Sequence, residues 1–297
     1  MLHENKVEFI RSLEMVSGVK GFLLPLLEKD YYLTLILSRT NELCEDLVFK
    51  GGTCLSKVYY SYYRLSEDLD FTMILPQHDL TRGQRRKCIK PVKDRIEKFA
   101  EQFGMNIDSP DDAGHNESKQ YIYHFVYRSS IRPFKSRIKF EIGLRFNPLD
   151  LPEKHKIQHF FLHPFTGEPL FDGGNINCLS LNELVSEKLR AAAIRRTVAP
   201  RDFYDLDFIL RNEFDLANKE VMALFKKKLE EDGADMDLEK YQINLGRSEE
   251  EIKNMYSRIQ TELLDVLTPI ERKNFNLYTA LARINKAMKS LYLQQDK

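Results

Sequence analysis

Apolar residues recur at helical spacing between Leu23 and Leu47, and the run ends in LVFKGG, where Leu47, Val48 and Phe49 read as a short buried strand. Gly51 and Gly52 follow as a turn. Behind them Thr53, Leu55, Val58 and Tyr59 suggest a helix, and LDFTMIL, rich in β-preferring residues, predicts a second strand. A charged helix is expected from roughly Thr81 to Phe103, then a loop at SPDDAGHNESK, then two β-like stretches, QYIYHFVYRS and SRIKFEIGLR. In the second of these, alternation sends Ile138, Phe140 and Ile142 to one face and Lys139, Glu141 and Gly143 to the other. Beyond the proline-bearing segment Asn147 to Glu153 the composition turns helical and stays so, interrupted mainly by FTGEPLFDGGN. The expected division is a mixed α/β part over 1–150 and a mainly helical part over 151–297.

Composition changes this picture little. With 42% apolar and 30% charged residues, a chain of 297 residues can bury a core large enough to offset the entropy of folding, which argues against wholesale disorder. Its 45 basic and 45 acidic residues balance, so no general basic coat marks a nucleic-acid binder; only a local patch can do so. The densest patch, Arg82, Arg85, Arg86, Lys87, Lys90, Lys93 and Arg95, suits a solvated helix face and an RNA-facing one equally. The apolar run FLLPLLEKDYYLTLIL is broken by charge and proline, and the chain opens with no leader pattern, so a soluble cytoplasmic protein with no membrane partner is expected. Cys44, Cys54, Cys88 and Cys178 are widely spaced, form no CxxC and predict reduced thiols.

Candidate chemistry concentrates in KGGTCLSKVYYSYYRLSEDLDFTMIL, residues 50–75. Residues two apart on a strand point to the same side, so Asp68 and Asp70 would hold their carboxylates together at the start of the strand. Two like charges that close repel unless a cation sits between them. Hard divalent ions take oxygen ligands, and Mg²⁺ is commonly held by one or two carboxylates plus the phosphates of a substrate. Gly51 and Gly52 would let the backbone approach a triphosphate, with the free N–H groups of the following helix and the Thr53 hydroxyl beside it. A GG or a DxD alone would be read as a turn or as exposed caps; their ordered combination is far more specific. Together they suit metal-assisted transfer from a nucleoside triphosphate. No Walker loop is present, since GxxxxGK[ST] is absent.

Two later segments add to this. SLNELVSEKLRAAAIRR, residues 180–196, opens with a capping box of Ser180 and Glu183 and continues with an apolar stripe of Leu181, Leu184, Val185, Leu189 and Ala192. Lys188 falls inside that stripe, where a lysine must snorkel to solvent or meet an anion. PRDFYDLDFIL puts Asp202 and Asp205 on one helix face, although Asp202 would serve equally as an N-cap. The order GGT-x-L-x-K, then S-x-D-L-D-F, resembles the nucleotidyltransferase fold shared with DNA polymerase beta. With SEKLRAAAIRR and PRDFYDL added, the set resembles the AbiEii family of nucleotidyltransferase toxins, with which the MenT toxins are grouped, from about Phe49 to Leu210.

The resemblance implies an α+β fold: a polymerase-beta-like nucleotidyltransferase core with a mixed sheet, plus a C-terminal helical domain that completes the active-site cleft. It implies an enzyme of a toxin–antitoxin or phage-abortive-infection system that uses Mg²⁺, or alternatively Mn²⁺, to transfer NMP from an NTP to an RNA 3′ end. In studied members the acceptor is tRNA, and a cognate antitoxin is the expected partner. By position, Gly51, Gly52 and Thr53 fall on the nucleotide-binding turn, with Lys57 closing that motif, and Asp68 and Asp70 fall on the metal pair. Lys188 matches the lysine that neutralises the triphosphate, and Asp202 and Asp205 match the RD-x-x-D motif, the first assigned to the nucleotide and the second to catalysis. Glu141 sits where the wider fold places a third strand carboxylate, as a metal ligand or, alternatively to Asp205, as acceptor of the ribose hydroxyl proton. Arg190, Arg195 and Arg196 are the basic residues expected to face RNA.

Two other readings stay open: AMP transfer to a protein hydroxyl, and a catalytically silent nucleotide-binding module, whose signature would be a broken DxD or a lost lysine. Neither defect is present. His155, His159 and His163, spaced four apart, would make a metal face only on a straight helix, against which Pro164 argues. Tyr59, Tyr60, Tyr62 and Tyr63 are expected in core packing rather than base stacking. TPIERKNFNLYTALARINKAMKSLYL reads as an amphipathic helix with a basic face.

Overall fold

The computed structural model describes residues 1–77, 79–216, 218–241 and 244–293. The chain divides into two units, Met1–Leu179 and Ser180–Lys297. The first is built on a mixed sheet of strands β1 (Leu47–Lys50), β2 (Asp68–Met73), β3 (Asn106–Asp108), β4 (Gly114–His115), β5 (Gln120–Arg128), β6 (Lys135–Gly143), β7 (Glu153–Lys156) and β8 (Asn175–Cys178). Their order is β3-β5-β6-β2-β1-β8-β7, with β4 paired to β5. β2 runs antiparallel to β1 and parallel to β6, and β8 runs parallel to β1.

The helices of this unit are α1 (Lys6–Lys20), α2 (Leu24–Ser38), α3 (Thr40–Leu43), α4 (Gly51–Cys54) and α5 (Arg82–Glu101). Alternation places Leu69, Phe71 and Met73 of β2 with Ile138, Phe140 and Ile142 of β6 in the core, all essentially without exposure. Phe71 stacks on Phe140 at 4.7 Å, and Phe99 of α5 meets Phe125 of β5 edge-on at 6.2 Å. The helix α5, capped by Thr81, which accepts from the Gln84 N–H, therefore covers the aromatic face of the sheet. Its basic residues lie mostly on the solvent side, with Arg85 turned inward to the carbonyl of Glu117 at 3.0 Å.

The division falls between Leu179 and Ser180 rather than near residue 150. The segment 151–179 belongs to the first unit and lends the sheet two strands: β8 pairs with β1 at Phe49 and Cys178, and β7 pairs with β8. β7 reads EKHK, a charged edge strand with no apolar alternation, so hydrophobic patterning could not reveal it.

The second unit carries α6 (Leu181–Ile194), α7 (Pro200–Arg211), α8 (Lys219–Glu231), α9 (Glu249–Glu262), α10 (Pro269–Asn274) and α11 (Leu277–Leu293). Ser180 accepts from the Glu183 N–H at 3.1 Å, while the Glu183 carboxylate meets Lys228 at 2.7 Å. In α7 the capping position is Ala199 with Pro200 at the first helical position, so Asp202 lies inside the first turn and is not the cap. The C-terminal amphipathic stretch breaks at Phe275 and Asn276 into two helices. All four cysteines are free. Among the described residues no helix is long and apolar enough to cross a membrane.

Candidate active site

The register of the sheet assembles the acidic site. Asp68 of β2 lies opposite Lys139 of β6, Asp70 lies opposite Glu141, and on its other side Asp70 lies opposite Lys50 of β1. Residues paired across strands send their side chains to the same face, so all five project from the face opposite the aromatic core. Within this set Lys139 Nζ forms an ion pair with Glu141, and Gln120 of β5 donates to Glu141 Oε1 at 2.6 Å.

The diglycine turn comes up against the same strand. Gly51 has φ of +79°, the left-handed region, and a Cβ built on it would stand 2.7 Å from Asp70 Oδ2. A Cβ on Gly52 would collide with Arg64 Nη2. A Cβ at either position would force a neighbouring side chain aside, and Gly51 is favoured by its conformation as well. Thr53 is buried and donates its hydroxyl proton to the Asp68 carbonyl at 2.5 Å, tying the first turn of α4 to the start of β2. The helix then loosens into a π-helical turn over Leu55–Tyr59, where the Tyr60 N–H reaches the Leu55 carbonyl at 2.9 Å.

Electrostatics mark Asp70 as the strained member. Burial, then the charges of Glu141 and Asp68, push its carboxyl up to about 6, against the pull of Lys139 and Lys50. Burial also acts to raise Glu141, but the hydrogen bonds from Lys139 and Gln120 outweigh it and hold this carboxyl below the usual range. Lys139 is held above its ordinary value because its carboxylate neighbours outweigh its desolvation. Among the described residues no three His, Cys, Asp or Glu side chains already converge as a metal-binding group. The donor set nonetheless fits a hard divalent cation: it is all carboxylate oxygen, its members repel one another, and the charge of Lys139, paired with Glu141, already relieves part of that repulsion.

Lys57 is not part of this arrangement. Its side chain is 1% exposed, and its ammonium is held by Asp30 at 2.8 Å, by Thr34 at 2.8 Å and by Tyr62, whose hydroxyl donates to Asp30 at 2.9 Å. Burial lowers its pKa against the pull of Asp30. Lys57 is thus a buried cation inside the first unit, held by Asp30, Thr34 and Tyr62.

In the second unit Lys188 Nζ contacts Asp202 at 2.9 Å and Asp205 at 2.7 Å, and Arg195 meets the other oxygen of Asp202 at 2.8 Å. Asp205 has no side-chain exposure and holds the lysine in place. Arg190 pairs with Asp232 at 2.5 Å, whereas Arg196 is exposed. The three histidines do not gather: His155 pairs with Glu153 and His159 contacts the Phe171 carbonyl at 2.8 Å. Tyr62 and Tyr63 are buried, and Tyr59 and Tyr60 half-buried.

The family model described as the nucleotidyl transferase AbiEii toxin of type IV toxin–antitoxin systems matches residues 35–280. The chain belongs to the AbiEii family. It is accordingly a nucleotidyltransferase toxin, with an NTP as substrate and an antitoxin as partner, and enzymes of this kind generally use a divalent metal. The structure of MenT4, a nucleotidyltransferase toxin from Mycobacterium tuberculosis, is similar over 94% of this chain and 98% of its own, at 17% identity and a TM-score of 0.58. JHP933 from Helicobacter pylori is similar over 93% of this chain and 97% of its own, at 16% identity and a TM-score of 0.50. At that identity the likeness establishes the α+β fold. No curated protein matches.

For an AbiEii nucleotidyltransferase, three residues at the carboxylate site escaped the motif reading. Arg64 stands four residues before Asp68, fully buried against Gly52, and the signal for it was a lone guanidinium inside the aromatic run YYRL. Lys50, directly before the glycines, and Gln120, at the start of β5, carried no local signal, since only strand pairing brings them to Asp70 and Glu141.

Proposed function

We propose that this toxin transfers a nucleoside monophosphate from an NTP to a ribose hydroxyl at an RNA 3′ end, with tRNA as the acceptor class and Mg²⁺ as the metal. The reading is carried by one observation: the carboxylate of Asp70 lies directly against the Gly51 turn and directly across from Glu141, which juxtaposes a left-handed glycine turn and an acidic cluster. Asp68 and Asp70 would hold the metal, which when bound neutralises phosphate charge and fixes the geometry of attack. The free N–H groups at the start of the helix that begins at Gly51 bind the triphosphate tail, a role left to the backbone because the Thr53 hydroxyl proton goes to Asp68.

The acceptor oxygen forms a bond to the α-phosphorus while the bond from that phosphorus to the bridging oxygen breaks, releasing pyrophosphate. Glu141, ionised at neutral pH, accepts the hydroxyl proton. Within the second unit Asp202 and Asp205 hold the Lys188 ammonium at 2.9 and 2.7 Å, which supports reading it as the lysine of the family motif. A toxin of this chemistry serves in phage defence. The test is incubation of the purified protein with Mg²⁺ and each labelled NTP in turn, with a pool of deacylated tRNA. Label on the 3′ end that vanishes with Asp70→Ala supports the proposal, label on protein points to AMP-type transfer, and no label with any nucleotide refutes it.

A further inference from the structure

Beside the carboxylate site the first unit carries a groove of about 550 Å³ whose lining includes Lys29, Val126, Arg132, Phe134, Lys135 and Arg137. Its place is set by the sheet. Val126 and Arg137 are paired across β5 and β6, and Arg137, Lys139 and Glu141 alternate onto one face, so the groove floor continues the face that bears the carboxylates. At about 3.3 Å per residue, Arg137 lies roughly 13 Å along β6 from Glu141. The strand order settles which side this is: the diglycine turn follows β1 on one flank of β2, and β6 with β5 lies on the other. A triphosphate held at the turn leaves this flank to the second substrate.

The chemistry of the groove names that substrate's class. Arg132, Lys135 and Arg137 are exposed, and among the described residues none of them has an ion-pair partner, whereas Lys29 is paired with Glu67 at 3.1 Å. Asp108 and Glu67 are the acidic members of the lining, so cations are in excess. Phe134 is 55% exposed, with the Arg132 guanidinium 5.5 Å from its ring centre. An open aromatic ring among unpaired cations is the combination that holds single-stranded nucleic acid, the cations taking phosphates and the ring a base.

We propose that this β5–β6 groove binds the single-stranded acceptor end of the RNA and feeds its terminal hydroxyl to Glu141 and Asp70, an inference that rests on the transfer reading above. It is tested on the full chain by fluorescence anisotropy, using a labelled single-stranded RNA of about a dozen nucleotides at several salt concentrations. In parallel, a fluorescent NTP is titrated and label transfer is measured. The double variant Lys135→Glu with Arg137→Glu is expected to weaken RNA binding at least tenfold and to flatten the salt dependence by roughly 1.4 in log–log slope, two phosphate contacts' worth. Phe134→Ala should cost about fivefold or more without altering that slope. NTP affinity should stay as in the wild type for both, and all three positions are exposed, so folding is not at stake.

Wild-type RNA affinity and salt slope in both variants, alongside transfer that Asp70→Ala abolishes, would overturn the groove and leave the transfer reading intact. RNA binding lost in the variants, from a wild-type protein that transfers no nucleotide to any acceptor, would uphold the groove and overturn the transfer reading. Intact RNA binding with lost neutralisation by the antitoxin would assign the groove to an acidic protein segment and overturn the proposal.

Discussion

Replacing Asp70 by Asn should stabilise the metal-free protein while destroying its activity. The folded environment raises this carboxyl from 3.8 to about 6, so between those values the folded state binds more protons than the unfolded state, and stability falls as pH rises through the window. Above about pH 6 the ionised carboxylate therefore costs the folded protein about two pK units, or about 3 kcal/mol at 1.36 kcal/mol per unit. Asn keeps the shape and removes the charge. In chelator at pH 8, Asp70→Asn should thus melt higher than the wild type, by up to roughly 6–12 °C on the scale of domains this size; at pH 4 the two should coincide. Excess divalent ion should raise the wild type, by about 2.7 kcal/mol at a hundred times its Kd, and leave the variant unmoved. Thermal melts across pH 4 to 8, with chelator and with Mg²⁺, provide the measurement. A variant that melts at or below the wild type at pH 8 in chelator, or a difference that does not change with pH, would refute the argument that burial, reinforced by the neighbouring carboxylates, prepares this site for a cation.

The other expectations concern the turn, the buried Lys57 and the half-buried Lys188. Gly51→Ala, placed at positive φ and against the Asp70 carboxylate, should cost about 1–2 kcal/mol and reduce labelled-NTP binding more than tenfold; unchanged binding would show that the turn is not the phosphate cradle. Lys57→Ala should lose about 3–5 kcal/mol in denaturant titrations by stranding Asp30, whereas Lys57→Met combined with Asp30→Leu should recover much of it, with NTP affinity per folded molecule unaltered. A specific loss of NTP affinity in that double variant would return Lys57 to the nucleotide. Lys188→Ala should abolish transfer and also destabilise the second unit, because Asp205 loses its close cation; calorimetry showing no stability change would contradict the ion-pair role.

Within the chain, what was readable from local order was the chemistry along one strand and its turn. The alternation DLDFTM places two carboxylates on one side and Leu69, Phe71 and Met73 on the other, and the glycines before α4 mark a backbone that needs room. These are properties of neighbouring residues, so periodicity expresses them directly. Which side chains meet that strand was decided only by tertiary structure. Glu141 sits across from Asp70 because β2 and β6 pair in parallel, a contact 71 positions apart that no local pattern encodes. The same long-range packing turned Lys57, adjacent in sequence to the turn, into a core cation held by a helix earlier in the chain, and brought the polar strand β7 into the first unit. The physical reason is the same in each case: the period of a segment reports which face is buried, whereas the partner that satisfies a charge on that face is chosen by the pairing and packing of segments far apart along the chain.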